Sequence, residues 1–150
     1  MTAEDTVPTR LRQAPSWLLG QASIHGHRLV TEHFASADAR GYHYRLLAAL
    51  QEFGPASQAA LGRCTGVDRS DVVAALNELA DKKFIERSPD PADRRRNIVT
   101  ITSAGTDHLE HLTGVLTQIQ DALLAPLSAA EREQLTHLLT RIVDHHTSRH

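Results

Sequence analysis

Along most of this chain apolar residues recur every three or four positions, and only near the middle does the spacing drop to two. Val72, Leu76 and Leu79 step by four and three, which lays one buried stripe along a helix opened by Asp68. Ahead of it, Ser57 predicts the cap of a shorter helix running through Leu61 and Arg63, because its hydroxyl can accept a bond from a free first-turn amide. Thr65-Gly66 ends that helix, since glycine takes a left-handed backbone without steric penalty. Phe84-Ile85-Glu86-Arg87 and Asn97 to Thr102, the latter with Val99 and Ile101 on one face, read as two short strands of a hairpin. Two helices joined by a glycine turn form a helix-turn-helix unit, whose second helix usually enters a DNA major groove.

The flanks are helical. Residues 1–12 show no periodicity and are expected to be a flexible arm. Ala14 to Phe34 predicts a helix with Pro15 in its first turn, and its apolar positions split between two faces. A loop follows from Ala35 to Gly41. Tyr42 to Phe53 predicts another helix, burying Tyr44, Leu46, Leu47 and Leu50 and stopped by Gly54-Pro55. Beyond the hairpin, Thr102 or Ser103 caps a long helix to about Ala125. Its Leu109, Leu112, Leu116, Ile119 and Leu123 form a narrow, coiled-coil-like seam. Ser128 and Glu131 make a capping box for a last helix, with Leu135, Leu138, Leu139, Ile142 and Val143 on one side.

These elements predict a mainly α fold of the α+β winged-helix type: six helices, a small β-hairpin wing, and helices from both termini left to pair with a second copy. Residues 13–150 read as one domain, with the DNA-binding part at about 42–102 and dimerisation helices at about 14–34 and 103–147. A two-fold dimer would hold its reading helices about 34–36 Å apart, one turn of B-DNA, and so prefer a near-palindromic site.

Composition narrows the function. Aromatic residues are only 4% of the 150, so the core must be mainly Leu, Val, Ile and Ala, which suits packed helices. A net charge of −2 is not the profile of a non-specific polyanion binder, and residues 57–105 are nearly balanced, with eight basic against seven acidic side chains. Any case for DNA therefore rests on where the arginines sit. They sit at the hairpin tip, where Pro89 and Pro91 stiffen the backbone and Arg94, Arg95 and Arg96 follow in a row. A narrow minor groove, with its enhanced negative potential, attracts such guanidinium groups. The polar face opposite the Val72 stripe carries Arg69, Ser70, Asp71 and Asn77, all able to reach base edges or phosphates.

Asp93-x-Arg95, followed by Ile101-Thr102 and Gly105, resembles the winged-helix signature of MarR-type transcription regulators, and the resemblance extends over nearly the whole chain. It implies a homodimer that binds double-stranded DNA, most often as a repressor. Arg95 would enter the minor groove at the wing, with Asp93 pairing to it and holding its direction. Together with the residue types above, the candidate DNA-binding set is Ser57, Gln58, Arg69, Ser70, Asp71, Ala74, Asn77, Arg87, Asp93, Arg94, Arg95 and Arg96. Some members of the family carry a basic residue where this chain has Ala74, so the operator sequence does not carry over. The resemblance also implies a small effector, commonly an aromatic acid, held between the dimer helices and the DNA-binding core. Trp17, His25, Arg28, His43 and Tyr44 are the candidate ligand-binding residues, an aromatic and cationic mixture suited to an anionic ring.

Other chemistry is poorly supported. No nucleophile elbow, phosphate loop, dinucleotide fingerprint or H-E-x-x-H occurs, so neither an enzyme nor a cofactor is expected. His25 and His27 point to different faces; His108 and His111 share one, but nothing completes a metal set. His145, His146 and His150 crowd the C-terminus as a polar tail. The single Cys64 excludes an internal disulfide, fits a reducing cytoplasm, and is expected to be a buried structural thiol. The polar start MTAEDTVPTR has no apolar leader, and no run approaches the roughly 18 apolar residues of a membrane span. A soluble cytoplasmic protein is therefore expected. The alternatives are a winged helix used only as a protein-interaction module, or a metal- or redox-sensing regulator.

Overall fold

The computed structural model describes residues 6–147. Helices dominate it: α1 (Thr9–Arg12), α2 (Pro15–Ser36), α3 (Gly41–Phe53), α4 (Gln58–Thr65), α5 (Arg69–Asp81), α6 (Ser103–Leu123) and α7 (Ala129–Thr147). Strands β1 (Ala56–Ser57), β2 (Ile85–Pro89) and β3 (Asn97–Ile101) form one antiparallel sheet in the order β1-β3-β2. Two expectations need correcting. The arm is not wholly irregular, because Thr9–Arg12 closes a helical turn after Pro8 and packs on α2; its first five residues lie outside the described part. The hairpin is also not alone, since Ala56 and Ser57 pair with Val99 and Ile98 as a third strand.

The helix ends follow the cap chemistry, with one exception. Ser57 Oγ accepts the Ala60 N–H at 3.2 Å, and Gly66 closes α4 at a φ of 69°. Asp68 stands at the N-cap of α5, but its side chain makes no capping bond. Thr102 Oγ1 accepts the Gly105 N–H at 3.0 Å and donates to the Lys83 carbonyl at 2.8 Å, fastening the start of α6 to the end of α5. Gly105 is required there, because an added Cβ would overlap the Phe84 carbonyl. The Ser128–Glu131 box forms in both directions, at 2.9 and 3.2 Å, and these bonds hold the Glu131 carboxyl below its ordinary pKa.

One core gathers Leu46, Leu47 and Leu50 of α3, Leu61 of α4, Val72, Leu76 and Leu79 of α5, Ile85, Val99, and Leu109 and Leu112 of α6. Tyr44 joins it only in part. The seam on α6 is therefore not kept for a second copy: Leu109, Leu112 and Ile119 are buried against α2 and α3 of the same chain. The last helix behaves differently. No residue of α7 is buried, and Leu138, Ile142 and Val143 are 51%, 47% and 59% exposed. Among the described residues no helix is long and apolar enough to cross a membrane.

Candidate nucleic-acid interface

Burying Val72, Ala75, Leu76 and Leu79 turns the other face of α5 outward, and Arg69, Ser70, Ala74 and Asn77 all lie exposed on it. Asp71 is half-buried instead, and it faces the cavity described below. Ser57 is buried with its hydroxyl occupied as a cap, and Gln58 is half-buried beside it. Asn77 is not free to rotate. Its Oδ1 accepts from Arg87 Nη1 at 2.8 Å, so the first strand of the hairpin steadies the polar face of the helix.

The tip between β2 and β3 owes its shape to aspartates as much as to proline. Pro89 belongs to β2, opposite Asn97, while Pro91 lies in the turn. Asp90 Oδ1 accepts the Ala92 N–H at 2.9 Å, and the Asp90 N–H donates to the Arg96 carbonyl at 2.8 Å. Asp93 Oδ1 accepts twice from Arg95, from its backbone N–H at 3.1 Å and from Nε at 3.2 Å. The Arg95 side chain is 91% exposed, so this pair adds little stability. What the pair does is aim the guanidinium, leaving both Nη groups to donate outward. Arg94 and Arg96 are exposed on either side.

A second feature lies behind α5. Helices α2, α3 and α5 and the α4–α5 turn line an open cavity of about 1130 Å³, with Phe34, Tyr42, His43 and Tyr44 on its walls, and Arg40 and Lys82 among the carboxylates of Asp38, Asp71, Glu78 and Asp81. Of the five residues expected to line a ligand cleft, the fold brings His43 and Tyr44 together there. Trp17, His25 and Arg28 lie elsewhere on α2, and Arg28 pairs with Glu32 at 3.7 Å. Arg40, Tyr42 and Lys82 were not anticipated. Their signal was faint, since each ends or opens a helix and belongs to no stripe. Lys82 Nζ donates to the Asp38 carbonyl and carboxylate at 2.7 and 3.0 Å, and that ammonium lowers the Asp38 pKa. Burial lowers the His43 pKa, partly offset by the Glu78 carboxylate.

The remaining candidates resolve simply. Cys64 is exposed, contrary to expectation, because the last turn of α4 presents it to solvent; its Sγ lies 3.6 Å from the Leu61 carbonyl. The His108 ring stacks on Phe84 at 4.1 Å between centroids, and His111 is tilted 6.1 Å from it. Among the described residues no three His, Cys, Asp or Glu side chains gather to hold a metal.

Comparison with known proteins fits this geometry. The MarR family model matches residues 28–96. The HTH-type transcriptional repressor NicR of Pseudomonas putida is 35% identical over 98 residues, covering 65% of this chain and 62% of that protein, so the chain spans under two thirds of its length. The crystal structure of a probable transcriptional regulator from Pseudomonas aeruginosa is 32% identical, with a TM-score of 0.76 over 88% of this chain and 98% of that one. BpsR of Bordetella bronchiseptica, whose DNA binding is regulated by 6-hydroxynicotinic acid, superposes with a TM-score of 0.77 at 26% identity, covering 88% of this chain and 94% of that one. With the Asp93–Arg95 wing and the polar α5 face in place, these matches identify the chain as a member of the MarR family of winged-helix transcription regulators.

Proposed function

We propose that this protein is a homodimeric, cytoplasmic repressor that binds a near-palindromic DNA operator and is released by a small aromatic carboxylate. In this reading α5 enters the major groove with Arg69, Ser70, Ala74 and Asn77 toward the bases, and Arg95 of each wing reaches the flanking minor groove. The observation that carries it is the Asp93–Arg95 pair, which fixes the direction of a guanidinium that has no other side-chain partner among the described residues. Exposed Leu138, Ile142 and Val143 on α7, with Leu18, Leu19 and Ile24 on α2, supply an apolar face for a second copy. In this reading residues 14–34 and 103–147 carry dimerisation, chiefly through the exposed faces of α2 and α7, and about 42–102 carry DNA binding. The cavity combines aromatic walls with the Arg40 guanidinium, which suits an anionic ring, and BpsR responds to such a molecule.

DNA affinity measured against salt concentration tests the wing. Arg95→Ala should weaken binding almost uniformly across sequences and reduce the slope of log K against log salt by about one. An unchanged slope would remove Arg95 from the interface.

A further inference from the structure

The cavity contains a buried donor that lacks a proper acceptor. His43 is 1% exposed, and its Nδ1 accepts the Arg40 backbone N–H at 3.3 Å, so a neutral ring carries its proton on Nε2. That Nε2 is buried and, among the described residues, faces only the Glu78 carboxylate, at the outer edge of hydrogen-bonding distance. The facing anion is Glu78, whose Oε2 lies 3.5 Å from His43 Nε2 and 3.5 Å from Arg40 Nε. One carboxylate oxygen thus sits between a guanidinium and an imidazole and is well bonded to neither. Leu76 and Leu79, fully buried on the same helix, hold the Glu78 backbone in place, so only its side-chain torsions can change these contacts. A buried donor left in this state is costly, and an acceptor free to approach it would be favoured.

The three residues belong to different parts of the fold. Arg40 and His43 stand at the start of α3, whereas Glu78 lies on α5 next to Asn77. The Glu78 carboxylate is therefore a tether between the reading helix and the cavity wall. We infer that Glu78 is an internal stand-in for the effector: a bound aromatic carboxylate takes over the Arg40 guanidinium and the His43 Nε2–H, displaces Glu78, and so removes this polar link between α5 and α3, which otherwise meet through the apolar core. This rests on the reading of the cavity as the effector site.

Two carboxylates cannot both occupy that position, because like charges a few ångströms apart repel. Burial disfavours the charged form of the His43 ring, so its single Nε2–H serves one anion and does not balance two. Lys82, one turn beyond Glu78, is already committed to Asp38 and does not relieve the competition. Tether and ligand are then mutually exclusive. The tether exists only in the ligand-free state, which is the differential contact that coupling between two sites requires.

Calorimetric titration of benzoate and 6-hydroxynicotinate into the full chain, into Glu78→Gln and into a charge control, Glu52→Gln, provides the test. Operator affinity is measured alongside, with and without saturating ligand, after circular dichroism has shown that each variant is folded. Glu78→Gln should bind carboxylate about tenfold more tightly than the unmodified chain. It should also lose most of the drop in operator affinity that ligand causes, whereas Glu52→Gln should match the unmodified chain in both. Equal or weaker ligand binding by Glu78→Gln, or undiminished coupling, overturns the inference and leaves the effector site standing. An unmodified chain that binds neither carboxylate at millimolar concentration overturns the effector site itself, and the inference with it.

Discussion

The reading half and the last helix treat the same kind of sequence in opposite ways. Leu76 and Leu79 on α5 are completely buried within one chain, while Leu138 and Ile142 on α7 repeat at similar helical spacing and stay about half exposed. Periodicity therefore reports that a face is to be covered, not by what. The deciding factor is what packs alongside: α5 is surrounded by α3, α4 and β2, whereas among the described residues α7 packs closely on no other element. Helix α6 lies between these cases and spends most of its seam on its own subunit.

The contrast can be broken at either end. Leu76→Ala should cost about 3 kcal/mol of folding stability, because a cavity opens in a core that cannot collapse around it; urea denaturation reads this directly. Leu138→Glu with Ile142→Glu should leave that stability nearly intact yet abolish dimerisation in sedimentation. Operator affinity should then drop by about a hundredfold, as two linked heads become separate ones. A monomer that kept full operator affinity would defeat the dimer reading.

A smaller effect concerns two histidines, His43 in the cavity and His108 stacked on Phe84. His43 and His108 both have pKa values lowered from the ordinary 6.5, chiefly by burial. The unfolded chain therefore binds more protons than the folded one just below that value, and stability rises with pH through this window and falls as pH drops. Thermal melts between about pH 7 and pH 5 should show this loss, and His43→Gln should flatten it. The smallest effect is at the last cap: Ser128→Ala should cost about 1 kcal/mol and fray the start of α7 alone, visible as faster amide exchange there.

Much of the reading half was legible because its signals are local. Ser57, Gly66, Thr102 and the Ser128–Glu131 pair each act on their own helix end, and Asp93 and Arg95 are two residues apart. The rest depended on how distant pieces meet. Ala56 and Ser57 are too few to show alternation and become a strand only because β3 lies beside them. Trp17, His25 and Arg28 belong to the helix that walls the cavity, but its rotation against α3, which sequence does not encode locally, turns His27, Val30 and Phe34 inward in their place. The exposure of Cys64 likewise follows from which side of α4 meets α3 and α5.

Gly105 has a consequence for how the protein could move. With no side chain there, α6 seats directly on the Phe84 backbone, where the reading helix hands over to the wing, and Thr102 bolts the same joint to Lys83. Helix, wing and the root of α6 are thus clamped at a single joint. Any displacement of α6 at a subunit interface would swing finger and reader through the same arc, so that the distance between two heads, rather than the shape of either, becomes the quantity DNA can sense.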